Sequence, residues 1–349
     1  MASLSGAKTN AIYKIASTYG TAVSGGAGNK LKAEITPNFG VDMLDPRQIG
    51  SGAIMVQTST RGNFKPTVSL AMDAGYRNCF DNILAQMWGT AAAPTEQTVG
   101  QGDYKHTITL NTTLNAKPAT LAWESSSATV IEMPSVTTQS ITIEASDSPG
   151  IVNFTAEMIG NNALITGTTN TNASMASATA TDTEVIAFNN DDTFQINLNS
   201  GGSLSGSDNL AITGYTLKLT RPQEVIGEIR GTAGNSAPIE AGLIEGELTV
   251  TLKELADHTY FTYWYNETML KSKLNIQGTQ IGSGVNKSLT IYIPKMVLAE
   301  EPKTALTSPG VNPLTMTFKI IAATANPTGM SSFYPYFEIV NGLSTSLLA

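Results

Sequence analysis

Apolar and polar residues alternate along most of this chain at the period of two that a half-buried strand requires. The alternation runs through Ile141 and Ile143, through Val152, Phe154, Ala156 and Met158, and through Phe194, Ile196 and Leu198. It continues at Tyr215, Leu217 and Leu219, at Leu248, Val250 and Leu252, at Leu289, Ile291 and Ile293, and at Leu314, Met316, Phe318 and Ile320. One face of each predicted strand should be buried and the other polar, the habit of antiparallel sheets. Turn chemistry separates the runs, as in Ser146-Asp147-Ser148-Pro149-Gly150.

Helical periodicity occurs twice. Phe80, Ile83, Leu84 and Met87 make one stripe at i, i+3, i+4 and i+7, with Asp73 as candidate N-cap and Gly89 as a stop. Phe261, Trp264 and Tyr265 repeat the first three of those positions after Asp257. Tyr76 and Phe80 follow Asp73 at the same distances as Tyr260 and Trp264 follow Asp257. Each helix comes after an alternating strand, Pro66 to Met72 or Glu247 to Leu252, and before a series of further strands. Those are 107–110, 121–123 and the pair around Ile141 and Phe154 in one case, and 274–276, 289–293 and 314–320 in the other. The matching programme predicts an internal duplication in a mainly β chain, with halves at residues 1–185 and 186–349 and one short helix in each. Residues 160–185, rich in Ala, Thr, Asn and Ser, and residues 299–313, with three prolines, read as long exposed loops. Long loops on a sheet scaffold are common contact surfaces.

Composition sharpens that picture. The 349 residues are 41% hydrophobic, enough for a large core, yet only 14% are charged. The net charge of −8 argues against specific nucleic-acid binding, because an acidic surface repels phosphate. The single cysteine, Cys79, excludes an internal disulfide and a cysteine-based metal cluster, and reads as a small buried hydrophobe of the first helix. The first residues lack the basic start and apolar core of a signal peptide, so synthesis and folding in a cytoplasm are expected. No apolar run is long enough to span a bilayer, and no membrane partner is expected.

Candidate chemistry is sparse. His106 and His258, the two histidines, have no neighbours in sequence that suggest a metal site, and read as capping or surface groups. The stretch Gly282 to Ser288 resembles a phosphate loop faintly but lacks its adjacent Gly-Lys and its strand-to-helix context. No Gly-x-Ser-x-Gly elbow occurs. Carboxylates are plentiful, and nothing in their spacing selects a catalytic pair. Trp264, Tyr263 and Tyr265 suit helix packing onto a sheet better than a sugar platform. No cofactor and no enzymatic activity are expected. A carbohydrate-active enzyme would need a pocket signature, and a capsid-decoration protein or adhesin has no need of a matched helix in each half.

Several stretches resemble the major tail tube proteins of long-tailed bacteriophages. Ile15-Ala16-Ser17-Thr18-Tyr19-Gly20-Thr21-Ala22 is similar to the opening of many members, and a polar loop through Arg61-Gly62-Asn63-Phe64 follows as it does in them. The helix ending Asn82-Ile83-Leu84-Ala85-Gln86-Met87-Trp88-Gly89, the strand Tyr104 to Leu110 and the stretch from Val136 to Gly160 complete the likeness. The resemblance implies a split-barrel or sandwich of antiparallel sheets with a flanking helix. It also implies a place in the virion tail, stacked homo-oligomeric rings, and other tail proteins such as tape measure and terminator as partners. Genomic DNA would pass through the lumen without specific binding. Single-domain members make six-fold rings, so two fused domains would give the same lumen from three copies, with hexamers of the whole chain as the alternative. An acidic lumen would keep DNA from adhering. Glu144, Glu157 and Glu247 occupy the polar parity of their strands and are the candidate lumen residues, with the outer surface as the competing location.

Overall fold

Strands that alternate in this way must lay one face on a core, and the computed structural model shows how they do so. It describes residues 9–44, 60–89, 92–112, 114, 117–180, 182–226, 234–253, 258–302 and 314–349. The chain begins with β1 (Ala11–Ile15), β2 (Glu34–Asn38), β3 (Val41–Leu44), β4 (Thr60–Phe64) and β5 (Thr67–Asp73), then helix α1 (Phe80–Trp88). Next come β6 (Thr95–Glu96), β7 (Tyr104–Ile108), β8 (Ala119–Ser126), β9 (Thr129–Ala145), β10 (Gly150–Ile151) and β11 (Asn153–Gly160). A short α2 (Asn172–Ala176) precedes β12 (Ala187–Phe188), β13 (Thr193–Leu198), β14 (Gly214–Thr220), β15 (Gln223–Glu224), β16 (Ile239–Glu240) and β17 (Glu245–Leu252). Helix α3 (Thr259–Tyr265) is followed by β18 (Leu270–Gly282), β19 (Val285–Leu298), β20 (Leu314–Ile320) and β21 (Tyr336–Asn341). Each alternating run of the sequence falls on one of these strands, with Val152 just before β11 and Pro66 just before β5. The Gly282–Ser288 stretch is the β18–β19 hairpin, not a phosphate loop.

The pairing order occurs twice. Antiparallel ladders join β1 to β8, β8 to β9, β9 to β11, β11 to β5 and β5 to β2. The same chain of ladders joins β13 to β18, β18 to β19, β19 to β20, β20 to β17 and β17 to β14. Registers correspond too. Val136 faces Gly160 as Met296 faces Ile320, and Leu70 faces Ala156 as Val250 faces Met316. Strand β14 also pairs with the far end of β9, from Tyr215 opposite Ala145 to Thr220 opposite Ser140. The two sets are thereby one sheet, in the order β2-β5-β11-β9-β14-β17-β20-β19-β21-β7-β6.

The core lies on one face of that sheet. Val68, Leu70, Met72, Phe154, Ile141, Ile143, Tyr215, Leu217, Leu219, Leu248, Val250 and Phe318 are all buried there in a single cluster. Helix α1 covers its first part. Phe80 packs edge-to-face on Phe154 with centroids 4.9 Å apart, and eight of the nine helical residues are buried, so the helix is enclosed rather than amphipathic. Asp73 ends β5 and is not the N-cap; that position is Cys79, in the left-handed region with φ 77° and no side-chain cap bond. Gly89 does stop the helix, with φ 85° and its N–H donating to the Ala85 carbonyl, a conformation that glycine adopts without penalty. Cys79 is buried as expected, and burial pushes its thiol well above the ordinary range.

The enclosure of α1 comes from the end of the chain. Trp88 Nε1 donates to the Pro335 carbonyl at 2.7 Å and its ring meets Phe337, while Asn82 donates to the Leu347 carbonyl at 2.7 Å. Arg221, fully buried, donates to the Met87 carbonyl at the helix C-terminus and pairs with Glu240.

Helix α3 is set differently from the expected stripe. Tyr260, Tyr263 and Trp264 pack on the core, whereas Phe261 and Tyr265 are 40% and 75% exposed. Aromatic residues stand on both faces of this helix, so two stripes share the spacing i, i+3, i+4 and the periodicity does not choose between them. Asp257 lies outside the described residues. The segment after β11 is less exposed than expected: Leu164 and Glu132 exchange backbone hydrogen bonds, Met175 of α2 is buried, and buried Asn170 donates to Glu132. Residues 303–313 of the Pro-rich loop lie outside the described residues.

Candidate functional site

The second face of the sheet is built almost wholly from small polar and charged side chains. Residues directly opposite in an antiparallel ladder project to the same side, so the registers define rows running across the strands. One row reads Glu34, Ala71, Thr155, Thr142, Lys218, Glu247 and Lys319. The row on one side of it reads Thr36, Ser69, Glu157, Ser140, Thr220 and Glu245. The row on the other side reads Asp73, Asn153, Glu144, Thr216, Thr249 and Thr317.

Glu144, Glu157 and Glu247, which the sequence offers only as parity matches on separate strands, thus share one face of one sheet. Glu157 and Glu247 are exposed and Glu144 is half-buried. Their surroundings differ. Glu144 lies between Asn153 and Thr216, and Glu157 between Ser140 and Ser69, whereas Glu247 lies between Lys218 and Lys319. The sequence reasoning missed Glu34, Asp73 and Glu245, which the registers add to the same face. Their parity was readable, but the pairing that brings β2, β5 and β17 into line with β9 was not. In these rows six carboxylates stand against two lysines, so the face carries negative charge.

The face meets two edges, and they differ from the seam inside the chain. Val136 faces both Ala119 and Gly160, and Ser140 faces both Thr220 and Glu157. Strands β8 and β14 therefore share one edge of β9, with β14 continuing where β8 stops. On β19, Met296 is where β18 stops, opposite Leu270, and among the described residues no strand continues along that edge. At the other end, β2 pairs with β5 alone among the described residues and forms an edge of the sheet. Its outer side carries Pro37, a residue that edge strands tolerate.

The histidines take no part. His106 is buried on β7, its Nε2 3.1 Å from Asn341 Oδ1 and 3.0 Å from the Leu343 carbonyl, and burial lowers its pKa. That replaces the expected surface role. His258 precedes α3 without a side-chain cap bond. Among the described residues, no cluster of three or more His, Cys, Asp or Glu is placed to hold a metal, and no helix is long and apolar enough to cross a membrane.

A family model described as phage tail tube protein matches residues 6–333, nearly the whole chain. A search of curated proteins finds no match.

Proposed function

The chain belongs to the phage tail tube protein family, and on that premise we propose that three copies close into a ring whose bore is the acidic sheet face. Membership makes it a structural protein of the virion tail that assembles with itself into a tube. In this proposal the subunit closes the ring and forms its wall, and has no catalytic role.

The observation that carries the reading is the seam between β9 and β14. Each set of ladders, with a boundary near residues 185 and 186, is taken as one tube domain, and the seam is where one domain adds its strand to the next. Strand β2 occupies in the first set the place of β14 in the second: Glu34 faces Ala71 as Gly214 faces Thr251. Strand β19 likewise stands in the place of β9. Laying β2 of one copy against the segment that follows the neighbour's β19, on the side left open past Met296, would repeat the seam between copies. The contact is head-to-tail, and it closes into a ring when the rotation per copy divides the circle. It pairs edges that would otherwise invite aggregation.

Eight strands per copy, β2, β5, β11, β9, β14, β17, β20 and β19, give twenty-four in a trimer. At about 4.8 Å per strand the wall measures roughly 115 Å around. Barrels of 16–18 strands already leave an aqueous channel, so this one has room for a duplex. With helices and core on the other face, the rows holding Glu144, Glu157 and Glu247 line the bore. Basic patches hold DNA by releasing its counterions, and a carboxylate wall denies that gain.

Negative-stain microscopy of the purified protein tests the reading. Stacked rings with a central channel are expected; dispersed particles or monomers under all assembly conditions would overturn it.

A further inference from the structure

The most exposed large apolar groups of the molecule include two that stand on the elements the repeat makes equivalent to a packed contact. Tyr265 on α3 is 75% exposed and Ile165, in the segment after β11, is 76% exposed. We propose that these two meet between neighbouring copies: the outer face of α3 is covered by residues 161–170 of the next copy in the ring. The proposal rests on the ring reading above and adds a second contact, outside the barrel.

The registers of the two sets lead to this contact. The shift that takes Leu70 to Val250 takes Phe80, Ile83 and Leu84 of α1 to Tyr260, Tyr263 and Trp264, the three side chains of α3 that pack on the core. The same shift takes Asp81 and Ala85 to Phe261 and Tyr265. Asp81 and Ala85 are buried, at 1% and 0% exposure, whereas Phe261 and Tyr265 are open. The two helices hold equivalent positions, and among the described residues nothing covers Phe261 and Tyr265 as Asp81 and Ala85 are covered.

What covers α1 is the segment after β20. Strand β21 lies along β19, with Tyr336 opposite Tyr292, and its Phe337 meets Trp88 at the end of α1 with centroids 5.8 Å apart. Asn341 of the same strand reaches Asp81 at 3.5 Å. The first set has the corresponding segment after β11. Leu164 lies opposite Glu132, and Glu132 stands to Val136 as Tyr292 stands to Met296. Leu164 is therefore the counterpart of Tyr336, and Ile165 of Phe337. Its own α1 is already covered by the second set; carried over by the same shifts, the Phe337–Trp88 contact falls on Ile165 of the next copy and Thr268, three residues past Tyr265 at the end of α3.

The directions agree. Inside the chain, the second set supplies β14 to the edge of β9 and its tail to α1. Between chains, the first set of the next copy would supply β2 to the segment that follows β19, and residues 161–170 to α3. The occupant of the α3 face is thus a second copy of this chain, presenting an apolar side chain and the polar residues Thr166, Thr168 and Thr169 beside it.

The test is cross-linking in assembled tubes. A variant carrying both Ile165→Cys and Tyr265→Cys is treated with a short bismaleimide; buried Cys79 is the background. Covalent dimers and trimers are expected from the double variant and none from either single one. Tubes that form but yield no cross-link would overturn the proposal and leave the ring standing. Wild-type protein that forms no rings would remove the ring reading and the proposal with it. As a second readout, Tyr265→Asp and Ile165→Asp should each raise the concentration needed for assembly at least tenfold, with thermal unfolding of the protomer unchanged. Combining Tyr265→Lys with Ile165→Asp should restore assembly; failure of that rescue, with both protomers folded, would count against the contact.

Discussion

Reversing the charge of the proposed bore gives the sharpest functional prediction. Replacing Glu144, Glu157 and Glu247 with lysine turns six carboxylates and two lysines per copy into three carboxylates and five lysines. The face then changes from net −4 to net +2, and a trimer from −12 to +6. The folding cost should be small and uneven. Glu144 and Glu157 face neutral Asn153, Thr216, Ser140 and Ser69, whereas Glu247 faces Lys218 and Lys319 on both sides. Like charges directly opposite cost about 0.2–1 kcal/mol per pair, so Glu247→Lys should cost about 1–2 kcal/mol and the other two less. Tubes should therefore assemble. DNA affinity falls with salt at a slope of about −0.9 per phosphate neutralised, so even two or three contacts per ring, repeated along the tube, would retard a moving duplex. The assay is triggered DNA ejection from virions carrying the variant, timed across a salt series. Slower ejection that recovers with added salt is expected, with the triple glutamine variant in between. Unchanged kinetics would refute the placement of these residues in the bore. Duplex binding to the outside of closed tubes would move them to the outer surface.

Four further outcomes follow from contacts already described. Arg221→Ala should lower stability by about 2–4 kcal/mol, read as a drop in Tm, since it removes the partner of Glu240 and the donor to the Met87 and Asn111 carbonyls. Asp81 is buried and its pKa is raised to about 7, burial being the main cause. The unfolded carboxylate ionises near pH 3.8 while the folded one stays protonated, so this group makes the fold less stable as pH rises from about 4 to 7, and no further above that. Asp81→Asn should accordingly gain in Tm over the wild type at pH 8 and not at pH 4; an equal difference at both would refute the assignment, His106 titrating in both proteins alike. Cys79 should react with a thiol reagent only after unfolding, checked by labelling in native buffer and in denaturant. Trp88→Phe, which loses the bond to the Pro335 carbonyl, should cost about 1–3 kcal/mol in a denaturant titration.

Much of this architecture is legible in the residues, and the failures have identifiable physical causes. Alternation found β9, β11, β13, β14, β17, β19 and β20 because each lays its apolar side chains on the core and carries polar ones on its second face. It found the polar parity of Glu144, Glu157 and Glu247 for the same reason. Pairing was not legible, since period two says which side a residue faces but not which strand stands beside it; Glu34, Asp73 and Glu245 were missed on that account. In α3, Phe261, Trp264 and Tyr265 were chosen over Tyr260, Tyr263 and Trp264 because an all-round aromatic helix satisfies both spacings. The Asp73 cap failed because β5 runs through that residue, and the helix begins seven residues after the strand ends without a side-chain cap. Buried Arg221 and Lys271 carry no sequence signal, as each is satisfied by carbonyls from distant segments. The correspondence of Tyr76 with Tyr260 differs from the shift of 180 residues between β5 and β17, which, carried on to the helices, sets Phe80 against Tyr260.

A three-dimensional reconstruction of an assembled tube, at a resolution that separates strands, tests the central claim most directly. The account predicts three chains per ring, with β2 of each paired to the segment that follows the neighbour's β19 and Glu144, Glu157 and Glu247 facing the channel. Six chains per ring, a barrel sealed inside one chain, or a bore lined by the opposite face of the sheet would contradict it.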